Sequence, residues 1–401
     1  MGLASAVTAD DYEDGLSAVN AGDLPAALTA FKRGAQQGTA AAQFNLGAMY
    51  ANGQGVAQDY LQALHWFRKA AEQDFADAQY NMGLLYANGR GVPQDDRQAV
   101  NWYRRAAEQE LAEAQSNLGL MYAYGRGVAQ NYVQAANWYR KAAEQGYAAA
   151  QASLGFLYTN GKGVAQDDVQ AFRWFSKGAE QGLAEAQYNL GLMYTNGQGI
   201  AQDHRQAVHW YHKAAEQGLT KAQSNLGVMY DIGLGIAEDD GQAVTWYRKA
   251  AGQGDADAQF NLGLMYANGL GVVRDETQAV NWYRKSAEQG LADAQFNLGL
   301  MYANGQGVVR DLHQAVDWCR KAAEQGNAGA QTILGLMYIR GDGVSQDLIQ
   351  AHKWTSIAAA DGYKDAAEIR DGVAASMTTV QLAEAKKLAR EWQPAASEGV
   401  N

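Results

Sequence analysis

The sequence is poor in proline and cysteine, with 3 and 1 residues in 401, against 45 glycines. High glycine with almost no proline does not fit a collagen-like or disordered chain. The one cysteine, Cys319, cannot close an intrachain disulfide, which excludes a disulfide-stapled fold and any multi-cysteine metal site. No apolar run reaches the roughly 18 residues that a membrane-spanning helix needs, so no transmembrane segment is expected. Basic residues are the minority: 32 Lys and Arg against 43 Asp and Glu leave a net charge of −11. Nucleic acid requires a basic patch or stripe, so a nucleic-acid partner is excluded.

What is abundant is periodic. Nine of the ten tryptophans fall at 66, 102, 138, 174, 210, 246, 282, 318 and 354, a constant step of 36. A fixed period of this size marks a stacked repeat architecture. Glycines keep the same step, from Gly47 to Gly335, and a Gly-x-Gly pair follows in each unit, from Gly53 and Gly55 to Gly341 and Gly343. Tyr50 and its equivalents through Tyr338 form another unbroken series.

Residues 294–326 show how one unit is built. Ala294, Leu298, Met301 and Tyr302 have helical spacing over about 293–304. Asn304-Gly305 then supplies a stop, because glycine accepts the left-handed conformation. Asp311 sits where a second helix should start, with Gln314 three residues on, the acid-x-x-Gln form of a capping box. Asp or Asn holds this position in all nine units (Asn131 is the one Asn), and Gln the third, from Gln62 to Gln350. The second helix carries Ala315, Trp318 and Ala322 on one face and ends near Gly326. Each unit is thus helix, glycine loop, helix, turn. One pair cannot bury its apolar face, whereas stacked pairs can. The Gly47 series costs roughly 1 kcal/mol against alanine inside a helix. Its recurrence points to close approach of the partner helix, with the Trp ring packed nearby.

The ends differ. Residues 1–8 read as disordered or as the remnant of an export signal. Ala4-Ser5-Ala6 has the small-residue form of a cleavage site, and Met1-Gly2 would replace the removed leader; the other reading is an ordinary frayed start. Residues 9–38 hold two helical patterns joined at Asn20-Ala21-Gly22-Asp23, without the Trp or the glycine loop, and are expected to cap the array. Repeats occupy 39–375. Residues 376–393 form a capping helix opened by Thr378 or Thr379 and carrying Leu382, Ala385, Leu388 and Trp392. Residues 394–401 are expected to be disordered.

The shared pattern A-x-x-N-L-G-x-M-Y-x-N-G-x-G-V-x-x-D-x-x-Q-A-x-x-W-Y-R-K-A-A-E-Q-G resembles the Sel1-like repeat, a relative of the tetratricopeptide repeat, over residues 38–375. Residues 9–38 resemble a shorter tetratricopeptide-type unit. The resemblance implies an all-α, right-handed superhelical solenoid of about nine repeats with terminal caps and a concave face lined by first helices. It further implies an adaptor or scaffold rather than an enzyme. Members of the family include degradation adaptors, bacterial envelope scaffolds, host-interaction factors and immunity proteins against secreted toxins. The family's secreted branch has a disulfide in each repeat. This chain has only Cys319, where most units have Tyr or Phe.

Signals for chemistry are weak. The Gly-x-Gly loops follow helices rather than strands, and none continues into Gly-Lys-Ser/Thr, so they read as structural. His204, His209 and His212 read as an exposed helix face rather than a metal site. In Asp95-Asp96, Asp167-Asp168 and Asp239-Asp240 the first acid is a helix cap. Cys319 reads as a small core residue. No nucleophile, base and orienting group stand together, so no catalytic residue, cofactor or metal is expected. A cell-wall or ester hydrolase, and glycan or small-ligand binding in an aromatic groove, stand as the alternatives.

Binding is expected at the inward positions of the first helices, which similarity to tetratricopeptide units sets at 41, 44, 48, 51 and 52 of the first full unit. The candidate aromatic anchors are Phe44, Tyr80, Tyr188, Phe260 and Phe296. The candidate carboxylates are Asp77, Glu113, Glu185, Asp257 and Asp293, and the candidates of the third series are Asn88, Tyr124, Asn160, Asn196, Asn268 and Asn304. Rows of like charge steer an oppositely charged partner. The expected partner is therefore a protein or peptide with a basic, partly apolar face. Each series also has a structural reading: aromatics packing between first helices, acids forming a solvated face, and Asn terminating the helix. Among the irregular positions, Asp74 and Glu110 replace a terminal glycine, Pro93 stiffens one loop, and Asp231-Ile232 replaces the usual small residue and Asn. A bacterial periplasm or envelope location is expected, with the cytoplasm as alternative.

Overall fold

The computed structural model describes residues 4–394, and side chains from residue 11 onward. Among these are 22 α-helices and no strand. Helices Ala4–Asn20 and Leu24–Gln36 come first. Nine helix pairs follow, from Ala40–Asn52 with Tyr60–Ala71 to Ala328–Arg340 with Leu348–Ala360, and then Lys364–Ala374 and Thr379–Glu391. The chain is an all-α solenoid. Its contacts gather into two compact units, Met1–Gln202 and Asp203–Asn401. In each, helices pack mainly on their neighbours in sequence, except that Thr379–Glu391 packs on Leu348–Ala360. The opening helix starts at Ala4, ahead of the expected residue 9. Residues 1–3 and, Pro394 apart, the expected tail lie outside the described residues.

Local chemistry sets the helix ends. The Asp or Asn before each second helix accepts backbone N–H bonds from its first turn, as when Asp59 takes Leu61 and Gln62, and Asn131 takes Gln134. These bonds satisfy donors that a helix start otherwise leaves open. The reciprocal half of a capping box is formed at Thr378 and Gln381; in the repeats the cap is the Asp or Asn side chain alone. First helices end on a left-handed glycine, such as Gly305 at φ 70. The exception is Thr220–Asp231, which stops one residue early on Ile232. The second loop glycine seats against the preceding repeat. A Cβ on Gly127 would run into the Asp96 carbonyl that opens the second helix before it.

The helical glycine opposes a ring, but not the tryptophan's. A Cβ at Gly83 would lie 2.5 Å from Tyr103, and one at Gly119 2.8 Å from Tyr139. The residue after each Trp points into the pair and is buried, as Tyr247 at 0% and Tyr283 at 3% show. Consecutive helical residues are about 100° apart, so the Trp looks along the stack instead. Trp66, Trp102, Trp138 and Trp174 each pack against the core formed between the preceding second helix and their own first helix. Outside, the Lys or Arg three residues on lies over the indole. Ring distances run from 3.8 Å at Trp246 to 4.8 Å at Trp66 and Trp102, within cation–π range.

A buried glutamine in each first helix spans the interface between repeats. Gln43, Gln79 and their equivalents to Gln331 are at most 5% exposed. Each donates to a carbonyl near the end of the preceding second helix at 3.0–3.2 Å. Each of seven also accepts a 2.8 Å bond from the glutamine that closes its own repeat, as from Gln73 to Gln43. The last repeat has Asp361 at the closing position, a carboxylate with no proton to give, and the Gln331 carbonyl oxygen is left unpartnered.

Three substitutions test this packing. Gly83→Ala should lower the unfolding midpoint, because overpacking costs about 1–3 kcal/mol. Gly252→Ala, at a helical site with nothing within 4 Å of the new Cβ, should raise it by up to about 1 kcal/mol. Asp361→Gln should add about 1 kcal/mol by completing the bond to Gln331. Circular dichroism in a denaturant series reads all three, and a neutral Asp361→Gln would refute the ladder's energetic role.

Candidate partner-binding face

The first helices leave one face uncovered by their second helices, and the anticipated residues are distributed over it unevenly. The 44-series aromatics are half-buried. Phe44 lies on Phe67 and Phe75 at 5.7 and 5.3 Å, Tyr80 on Tyr103 at 5.9 Å, and Phe260 on Tyr283 at 5.8 Å. Phe296 rests against the Gly329 backbone and Tyr188 is half-buried. These rings act as lids on the second-helix rings as well as surface.

The carboxylates occupy the first helical turn of their units, where the positive end of the helix dipole favours them. Asp77, Glu185, Asp257 and Asp293 are exposed and Glu113 is half-buried. None of the five forms an ion pair among the described residues, and Asp293 accepts a hydrogen bond from Asn327 at 2.8 Å. Burial, then the neighbouring Asp255 charge, pushes the Asp257 carboxyl above its ordinary range. Glu113 stands beside Tyr80 and Tyr147; burial first and its charge further raise both phenols. In the third series the Asn residues serve their own helix. Asn88, Asn160 and Asn268 donate to the carbonyl four residues back, at 2.8–3.0 Å. Asn196 and Asn304 reach Gln198 and Gln306 at 3.5 and 3.4 Å. Tyr124 alone replaces the amide with a ring, 72% exposed.

The aromatic lid is replaced by a smaller residue at Ser116, Ser224 and Thr332, which are buried, and at Ala152, which is half-buried. At Ala152 a cleft of about 420 Å³ opens above Tyr139 and Phe175, walled by Tyr124, Tyr132 and Phe156. Phe156 is 49% exposed. Lys162 stands 5.3 Å from the Tyr132 ring and 5.7 Å from that of Phe156, and Glu185 with Asn189 closes the cleft from the next first helix. Burial pushes the Tyr139 phenol up to about 12, so it stays protonated near neutral pH. The cleft brings Tyr124 and Glu185 together. It also contains residues absent from the anticipated set, namely Tyr132, Phe156 and Lys162. Phe156 belongs to the 48 series, apolar in every unit from Ala48 through Leu84 and Leu120 to Leu336. The one aromatic in an otherwise aliphatic series at an inward position was the signal for it.

Elsewhere the polar clusters have structural work. His209 packs on Trp210 and His212 on Trp246. Asp95, Asp167 and Asp239 cap helices. Asp96 pairs with Arg126 of the next repeat at 2.7 Å, which holds its carboxyl below the ordinary range. Asp74, at φ 61, accepts from Arg105 at 2.8 Å. No group of three His, Cys, Asp or Glu suited to a metal occurs among the described residues, and no described helix is long and apolar enough to cross a membrane.

Tandem helix pairs joined by a glycine loop, each bonded to the pair before it, define a repeat solenoid related to the tetratricopeptide class. The match to the Sel1 repeat is found nine times, over 40–75, 76–111, 112–147, 148–183, 184–219, 220–255, 256–291, 292–327 and 328–363. The chain belongs to the Sel1 repeat family. Its solved relatives include a protective antigen of uropathogenic Escherichia coli with an SLR fold, 37% identical over 96% of this chain and 91% of that one, with a TM-score of 0.69. A Sel1 repeat protein from Oxalobacter formigenes is also 37% identical, over 77% of this chain and 90% of that one, with a TM-score of 0.59. Among curated proteins none matches the chain.

Cys319 is 0% exposed and lies against Gly299. Burial pushes its thiol up to about 12, which keeps it from acting as a nucleophile near neutral pH. A thiol-exchange reagent should therefore modify it in denaturant and leave it untouched in the native protein. Rapid stoichiometric native labelling would contradict this.

Proposed function

We propose that this chain is a non-catalytic scaffold that holds a partner protein against its first-helix face, with the Tyr124–Phe156 cleft as the anchor. The observation that carries the reading is the loss of the aromatic lid at Ala152, where an aromatic cleft lies open between Tyr124 and Phe156. Large aromatic anchors in pockets dominate protein interfaces. The unpaired carboxylates of the same face favour a partner with a basic, partly apolar surface, and steer its approach. A bacterial envelope or periplasmic adaptor, or an immunity protein that covers a basic toxin surface, is the specific form proposed. Its relatives at 37% identity are bacterial.

The intact chain, used as bait in bacterial extract, should retain one partner that Tyr124→Ala/Phe156→Ala fails to retain. With that partner purified, the double substitution should cost about 2 kcal/mol or more, roughly thirtyfold in affinity. The on-rate should fall as salt rises. Equal capture by the double variant, or an on-rate indifferent to salt, would overturn the reading, as would turnover of peptidoglycan or ester substrates.

A further inference from the structure

We infer that the last repeat and the helices behind it form a separate pocket for a small organic anion carrying an apolar body. A cavity of about 710 Å³ lies between helix Leu348–Ala360 and the two helices Lys364–Ala374 and Thr379–Glu391. That volume suits a small-molecule ligand.

The last repeat departs from its predecessors where it meets this cavity. Earlier second helices place an apolar residue at one register, as in Val208, Val244, Val280 and Val316; the last has His352. Another register, mostly arginine, becomes Ser356, and the closing glutamine becomes Asp361. All three line the cavity. His352 is 2% exposed, with Nδ1 3.1 Å from the Ser356 hydroxyl. A cap that only shielded the array would be served by the valine of the other repeats. A buried histidine instead costs desolvation unless its polar atoms are used.

Charge identifies the ligand class. In a chain of net charge −11, the cavity gathers Arg370, Lys386 and Arg390 against Asp361 and Asp371. Arg370 is committed to Asp371 at 2.7 Å. Lys386 and Arg390 form no ion pair among the described residues, which leaves them for a carboxylate or similar anion. Burial, with the Lys386 and Arg370 charges, holds the His352 imidazole below its ordinary 6.5. It therefore stays neutral near pH 7 and offers one N–H. Ile357, Ala389 and Trp392 supply the apolar wall, and the Trp392 ring meets Trp354 edge-on at 6.1 Å.

The probes are 3-phenylpropionate, its neutral amide and 3-phenylpropylamine, added at millimolar concentration to the full chain. Calorimetry should show the carboxylate binding about tenfold tighter than the amide, and the amine not binding. The His352 imidazole nitrogen resonance should move with the carboxylate alone. Lys386→Ala/Arg390→Ala should weaken the carboxylate about tenfold with an unchanged melting midpoint, and Lys386→Arg/Arg390→Lys should restore it. Equal affinity for all three probes, no heat and no shift, or an indifferent double variant would overturn the inference. Retention of the partner protein is measured on the same variants. It should be unchanged, so this site and the Tyr124 cleft stand or fall separately.

Discussion

Each repeat is tied to the one before it by a buried glutamine, and the rest of the array follows from how closely the helices must approach to make that bond. An amide in an apolar interior is costly unless both its ends are bonded. Here the Nε2 group takes a carbonyl of the preceding second helix and, in most repeats, the oxygen takes the glutamine that closes its own turn. The first bond sets the register between consecutive pairs, and the second holds the amide in place from within its own repeat. Small residues make the distance attainable. Alanines such as Ala78 and Ala106 are 0% exposed, and the helical glycine admits the face of a tyrosine or phenylalanine ring.

Because every repeat solves the same interface, positions that depart from the pattern mark places where the surface does something else. Two departures stand out, one in each compact unit. At Ala152 the lid is removed and Tyr139 and Phe175 line an open cleft. At the last repeat His352, Ser356 and Asp361 replace valine, arginine and glutamine, and one consequence is a buried oxygen on Gln331 without a donor. The acidity of the chain is used locally as well as in sum. The first-turn carboxylates stabilise their own helices through the dipole while giving the first-helix face its sign.

Much of this was legible in one dimension. The 36-residue step, the Asp or Asn before each second helix and the glycine after each first helix all act within a few residues of themselves, so their geometry follows their identity. The anticipated binding set was a mixture. Asn88, Asn160 and Asn268 bond their own helix, Asn196 and Asn304 the loop beyond it, and the 44-series rings cover the second helix while remaining half open. Phe156 stood out as the one aromatic of its series, whereas Tyr132 and Lys162 carry no such mark, and Tyr132 meets the other two only across repeats. The buried glutamine was visible as a repeated residue. A polar side chain at constant spacing carries no mark of whether it faces water or a carbonyl.

The sequence by itself determined the number of units, their helix–loop–helix form and the residues that start and stop each helix, because caps and left-handed glycines are satisfied within a single turn. Tertiary structure alone decided that the residue after each Trp, and not the Trp, faces the helical glycine. Trp and the residue after it differ by about 100° around the helix, and only the position of the partner glycine selects between them. It also decided where a cleft opens, since empty volume depends on the side chain that another helix brings to the same point.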